Sequence, residues 1–94
     1  MKRYVDIVEY ARRGMAQRVK KLIESGADVN EEDSDGDRAI IVAAERNDIG
    51  ILTLLTDAGA DLNVKNHSGM TPLGYAIGNK SNEAIKLIRS HMIK

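Results

Sequence analysis

The sequence has no cysteine, no phenylalanine and no tryptophan, and only three tyrosines and one proline among 94 residues. Without cysteine there is no disulfide framework, no thiolate zinc site and no cysteine nucleophile. With so few aromatics the core is expected to be aliphatic, built from Ile, Leu, Val, Ala and Met. A single proline beside 30% charged residues argues against disorder and suits a helical protein. An apolar run of the roughly 18 residues that a membrane helix needs is also missing. The start, Met1-Lys2-Arg3, is basic, but Tyr4-Val5-Asp6-Ile7-Val8-Glu9 carries two acids, which a secretory hydrophobic region would not. The chain therefore reads as intracellular, with a cytoplasmic location expected. Fourteen Lys and Arg balance fourteen Asp and Glu. A global attraction to nucleic acid or to acidic lipid has no support in that balance, so neither nucleic acid nor membrane is expected as a partner.

What the sequence does have is an internal repeat. Gly26-Ala27-Asp28-Val29-Asn30 returns as Gly59-Ala60-Asp61-Leu62-Asn63, 33 positions on. The same offset carries Val19 to Leu52, Leu22 to Leu55, Gly36 to Gly69, Ile40 to Leu73, Ala43 to Ala76, Leu54 to Leu87 and Leu55 to Ile88. One domain over residues 1–94 is expected, divided into units 1–32, 33–65 and 66–94. Each unit reads as two helices. The first unit gives a helix from about Arg3 to Arg12 and a second from Met15 to about Glu24. The second unit gives one from about Arg38 to Arg46 and, after an Asp48 N-cap, a second that buries Ile49, Leu52, Leu54 and Leu55. In the third, Thr71 caps a helix with Pro72 at its first position, and Ser81 caps another with Ala84, Ile85, Leu87 and Ile88 inside. Gly59 falls just past a helix end and Gly69 at the turn of an extended hairpin. Small residues in the first helices (Ala11, Ala43, Ala44, Ala76) let units approach closely, and no unit can bury its apolar face alone.

These residues resemble the ankyrin repeat. Gly69-Met70-Thr71-Pro72-Leu73 is similar to that family's Asp-x-x-Gly-x-Thr-Pro-Leu-His box, with Asn66 at the Asp position, and Asp33-Ser34-Asp35-Gly36 is similar to its start. Ala43-Ala44, Leu22-Ile23, Leu54-Leu55 and both Gly-Ala-Asp runs also fit. The resemblance implies an all-α ankyrin-repeat solenoid of helix-turn-helix units with β-hairpin loops. Unit two departs from the box with Arg38-Ala39-Ile40-Ile41, and unit three has Gly74 in place of His. Both departures imply the loss of hydroxyl–imidazole hydrogen bonds between helix and loop. The first unit, with no hairpin ahead of it, reads as an N-terminal cap. The last helix carries Asn82, Glu83, Lys86, Arg89, Ser90 and Lys94, a polar exterior that suits a C-terminal cap, so a complete small protein is expected.

Glu31-Glu32-Asp33-Ser34-Asp35-Gly36-Asp37 holds five acids in seven residues. A calcium loop of the EF-hand type fails, because its twelfth position is Val42 rather than a bidentate Glu. The run reads either as a solvated acidic turn or as an acidic finger that meets a basic partner. His67 and His91 are not spaced as a metal pair. Arg12-Arg13 with Arg18-Lys20-Lys21 reads as a solvated helix face, since only Tyr4 and Tyr10 are near. The glycines do not form a phosphate loop, and there is no nucleophile–base–orienter set. Neither an enzyme, a metal nor a cofactor is expected. Asn30 and Asn63, with Leu22 and Leu55 eight residues before them, end a pattern that resembles the motif of ankyrin-directed asparaginyl hydroxylases and is equally plain repeat consensus.

The resemblance implies binding of a protein partner through hairpin tips and the inner faces of the first helices. In this sequence that surface is Arg12, Arg13, Glu32, Ser34, Asp35, Asp37, Glu45, Arg46, Lys65, His67, Ser68, Met70 and Asn79. The first finger is acidic and the second neutral to basic, which suggests a partner with a basic patch. A monomer is expected. The alternative is a stand-alone inhibitor, such as a toxin-immunity protein that blocks a partner enzyme.

Overall fold

In the computed structural model, which describes residues 5–92, the repeat period is visible in backbone geometry as well as in sequence. Six helices follow in order: α1 (Asp6–Arg12), α2 (Ala16–Glu24), α3 (Ala39–Arg46), α4 (Ile49–Asp57), α5 (Pro72–Gly78) and α6 (Asn82–Met92). Consecutive helices pair into units, α1 with α2, α3 with α4, and α5 with α6. The units stack through α1 on α3 on α5, and α2 on α4 on α6. This is the layered all-α arrangement that the repeat implies. The expected start of the first helix near Arg3 lies outside the described residues.

The helix starts follow from local chemistry. Asp48 accepts a hydrogen bond from the Ile51 amide at 3.1 Å, Thr71 Oγ1 from Gly74 at 3.0 Å and Ser81 Oγ from Ala84 at 3.2 Å. Each satisfies an amide that the first turn leaves open. At Arg38, which opens α3, no side chain does this. The first helix of each unit ends in a left-handed residue at the same repeat position: Gly14 at φ 69°, Asn47 at 55° and Lys80 at 56°.

The core is aliphatic throughout and runs along the stack. Val8, Ala11 and Val19 of the first unit, Ile40, Ile41, Ala43, Ala44, Ile51, Leu52 and Leu55 of the second, and Ala76, Ala84 and Ile88 of the third are essentially sealed from solvent. α3 is buried from Ala39 to Ala44 because a unit lies on each side of it. The inner residues of α4 differ from expectation in part. Ile51 is sealed, whereas Ile49 and Leu54 are half-buried. The equivalents of Ile51 are Arg18, exposed, and Ala84, buried, so the position is covered where a unit precedes it, which a count of i, i+3 spacings does not distinguish. In α6, Ala84 and Ile88 are buried, while Ile85 and Leu87 are half-buried.

The hairpin loops are shorter than the word suggests. Each is a tight turn closed by a backbone bond, Asp33 N to Asp37 O at 3.0 Å and Asn66 N to Met70 O at 3.0 Å. No strand occurs among the described residues. The left-handed Gly36 and Gly69, at φ 78° and 80°, sit at equal places in the two turns.

Candidate interaction surface

The two fingers are built by the same device. Asp33 Oδ1 accepts from the amides of Asp35 at 2.9 Å and Asp37 at 3.0 Å. Asn66 Oδ1, 33 residues on, accepts from Ser68 and Met70, both at 3.0 Å. A short side-chain carbonyl that takes two amides two and four residues ahead closes the loop without a sheet partner. Asp33 is buried by this, its side chain only 3% exposed. Asn66 also donates through Nδ2 to the Tyr75 hydroxyl at 3.0 Å. That bond ties the second finger to α5 in place of the missing box histidine, and the Thr71 cap survives. The departure at Gly74 thus removes less than the sequence implies.

Charge at the first finger is largely compensated within the chain. Arg12, at the end of α1, lies against Glu9, 2.9 Å from Asp37 and 3.6 Å from Asp33. Burial works against the Arg12 charge, but Glu9, Asp37 and Asp33 outweigh it and hold its pKa above the ordinary arginine value. Arg38 reaches Glu32 at 3.4 Å. The expected acidic finger therefore presents less net charge than its five carboxylates suggest.

The two fingers also brace each other. A Cβ on Gly36 would lie 2.3 Å from the His67 ring, so the imidazole rests on the glycine backbone. His67 itself stays exposed, as expected of a finger residue.

Of the thirteen residues read from the sequence, the structure brings Arg12 and Asp37 together as one ion pair. Arg46 is turned towards the first unit, its Nη2 only 2.9 Å from where a Cβ on Gly14 would stand. Asn79 bridges units, its Nδ2 donating to the carbonyls of Ala44 at 3.0 Å and Glu45 at 3.2 Å at the end of α3. Met70 is half-buried, with its methyl over Gly74. Arg13, Glu32, Ser34, Asp35, Glu45, Lys65, His67 and Ser68 are exposed along the fingers and first-helix ends. The residues that sequence reasoning left out are Asp33, Asn66 and Tyr75, which hold the fingers, and Arg38, which reaches Glu32. Asp33 and Asn66 were detectable from their shared offset; the Tyr75 contact was not, because it replaces a histidine one position away. Among the described residues no group of histidines and acids could hold a metal ion, and no helix is long and apolar enough to cross a membrane.

Comparison with known proteins agrees with this geometry. The family model "Ankyrin repeats (3 copies)" matches residues 7–94. A putative ankyrin repeat protein of fowlpox virus is 36% identical over 74 residues, covering 77% of this chain and 17% of its own length. Serine/threonine-protein kinase 12 of Arabidopsis thaliana is 34% identical over 90 residues, covering 96% of this chain and 20% of its own. Among solved structures, an ankyrin repeat domain from Acinetobacter baumannii AYE superposes with a TM-score of 0.84 at 31% identity, over 97% of this chain and 49% of that one. The chain thus spans about a fifth of those two relatives and about half of the solved domain.

Proposed function

The chain belongs to the ankyrin repeat family, and from that premise we propose that it binds a protein partner through the strip formed by its two fingers and the ends of α1 and α3. Ankyrin repeats are in general non-catalytic protein-interaction modules, and the specificity of each lies in the side chains it displays on a shared scaffold. The observation that carries the proposal is the division of labour in the fingers. Asp33 and Asn66 fix each loop from within. Glu32, Asp35, Lys65, His67 and Ser68 are left exposed on a braced backbone. A rigid loop loses little freedom on binding, so its exposed side chains can be used for recognition at low entropic cost.

The surface is mixed in sign, with the exposed acids Glu32, Asp35 and Glu45 and the exposed bases Arg13 and Lys65. A partner with a basic patch against the first finger fits it, and charge complementarity of this kind acts chiefly on encounter rate and specificity. The test is affinity capture from the source cell with the wild-type chain and with Asp35→Lys/Glu45→Lys, two exposed positions on the strip. Loss of the captured protein is expected. Undiminished capture by the double variant would sink the proposal.

A further inference from the structure

The layer of second helices carries a groove of its own. It lies between α2 and α4, has a volume of about 250 Å³ and is lined by Lys20, Ile23, Glu24, Leu54, Asp57 and Ala58. Ile23 and Leu54 are half-buried and packed against the core, which makes them its apolar floor. Lys20, Glu24, Asp57 and Ala58 are exposed around that floor. Both walls lie within the chain, between its first and second units.

The 33-residue offset accounts for the opening. One unit on, Leu54 becomes Leu87, Glu24 becomes Asp57 and Ala58 becomes His91. The His91 ring has Nδ1 3.0 Å from the Leu87 carbonyl and Nε2 3.3 Å from Asp57 Oδ1. An imidazole of the later unit thus reaches back to a carboxylate of the earlier one. Between the first two units the later unit offers only the Ala58 methyl at that place. Among the described residues Glu24 has no salt-bridge partner. The chain supplies a cationic ring to one carboxylate of the series and leaves the other beside an apolar slot.

We propose that this groove receives an arginine side chain of a partner protein, with its stem over Ile23, Leu54 and Ala58 and its guanidinium between Glu24 and Asp57. The volume lies below the roughly 300–1,000 Å³ typical of sites for whole small ligands, and it suits a single side chain. Two carboxylates, one from each unit, face one ammonium, so the groove favours a cation over an anion. Lys20 stands one turn before Glu24 on α2, about 6 Å along the helix, and leaves the acidic end open. An apolar floor with a charged rim calls for a side chain with an aliphatic stem and a charged head, as arginine and lysine have. Of the two, the guanidinium can donate to both carboxylates from one planar fork and is the more weakly hydrated over apolar surface. Asp57 keeps Oδ2 for it, since His91 meets Oδ1. The groove belongs to the second helices and the finger strip to the ends of the first, so this proposal and the finger proposal stand or fall separately.

Three fragments with the same short stem and different heads test it: n-butylguanidinium, n-butylammonium and n-pentanol. Each is titrated against the chain while the methyl signals of Ile23, Leu54 and Ala58 are followed by NMR. Fragments of so few atoms bind weakly, so the series runs into the tens of millimolar. n-Butylguanidinium is expected to move these methyls selectively and saturably, n-butylammonium to bind about twofold more weakly and n-pentanol more weakly still. Glu24→Gln is expected to weaken n-butylguanidinium by about two- to fivefold, the range of one exposed ion pair. Ala58→His, which installs the residue of position 91, is expected to abolish the Ile23 and Leu54 shifts by filling the groove. Circular dichroism melts show whether the variants are folded. Should Ala58→His fail to fold, Ile23→Thr, which installs the residue of position 56, takes its place with weakened binding. The proposal is overturned by methyl shifts that are absent or spread evenly over the chain, by n-pentanol or n-butylammonium binding as tightly as n-butylguanidinium, or by binding that these substitutions leave unchanged.

Discussion

Asp33 and Asn66 perform one task with different charge, and the contrast isolates what each atom does. Both place an oxygen where two loop amides meet it, but only Asp33 also faces Arg12. Asp33→Asn is therefore expected to keep the finger and cost less than about 1 kcal/mol, because the ion pair is partly exposed on the arginine side. Asp33→Ala leaves two amides without an acceptor and is expected to cost about 2–3 kcal/mol. Urea titration of the two variants would show this; equal costs would mean that the charge, not the loop bonds, holds the finger. A second residue-scale test comes from the left-handed series Gly14, Asn47 and Lys80. Glycine and asparagine tolerate that conformation, whereas lysine does not do so readily. Lys80→Gly should stabilise by about 0.5–1 kcal/mol, seen as a rise of several degrees in Tm. The role of Asp33 and Asn66 could be read from the repeat offset. The strain at Lys80 could not, since nothing in a lysine signals positive φ; only alignment with Gly14 and Asn47 through the backbone reveals it.

Helix starts show the same mixture at the scale of elements. Asp48, Thr71 and Ser81 were legible as caps, since each is an oxygen-bearing residue ahead of an apolar stripe, and each makes the expected bond. α3 begins instead at Arg38, whose Nε is buried without a hydrogen-bond partner. Its ion pair with Glu32, at 3.4 Å and partly exposed, offsets little of that. Arg38→Thr should supply the missing cap and remove the unpartnered nitrogen, a gain of about 1 kcal/mol; thermal melts would reveal it as a higher Tm. Thr71→Ala should lose a similar amount by the reverse logic. A destabilised Arg38→Thr would mean that the guanidinium supports the first finger more than the geometry suggests. α3 persists without a cap because Ala39 to Ala44 are buried between two units, and packing outweighs one unmade bond. The turns were less legible. The glycines marked their places, but the expected hairpin is a short loop without strands among the described residues, closed by two backbone bonds, because a side-chain carbonyl can do the work of a strand partner.

Across the whole molecule, the absence of Phe and Trp agrees with a stack that has no centre. Each aliphatic residue packs against the next layer, and the core is a column of Ile, Leu, Val and Ala. The layered arrangement has a thermodynamic consequence. α6 lies on both α4 and α5. Deleting residues 81–94 removes Ala84 and Ile88 from the core, together with the half-buried Ile85 and Leu87 packed against it. Each aliphatic side chain so lost or exposed forfeits about 1.5–3 kcal/mol. Three or four of them together reach the order of a small domain's entire stability, about 5–15 kcal/mol. The truncated chain should therefore lose its cooperative thermal transition rather than melt at a modestly lower temperature. If circular dichroism of the truncation still showed one sharp transition with most of the original helix content, α1 to α5 would be self-sufficient, and the dependence of each layer on its neighbour would have to be given up.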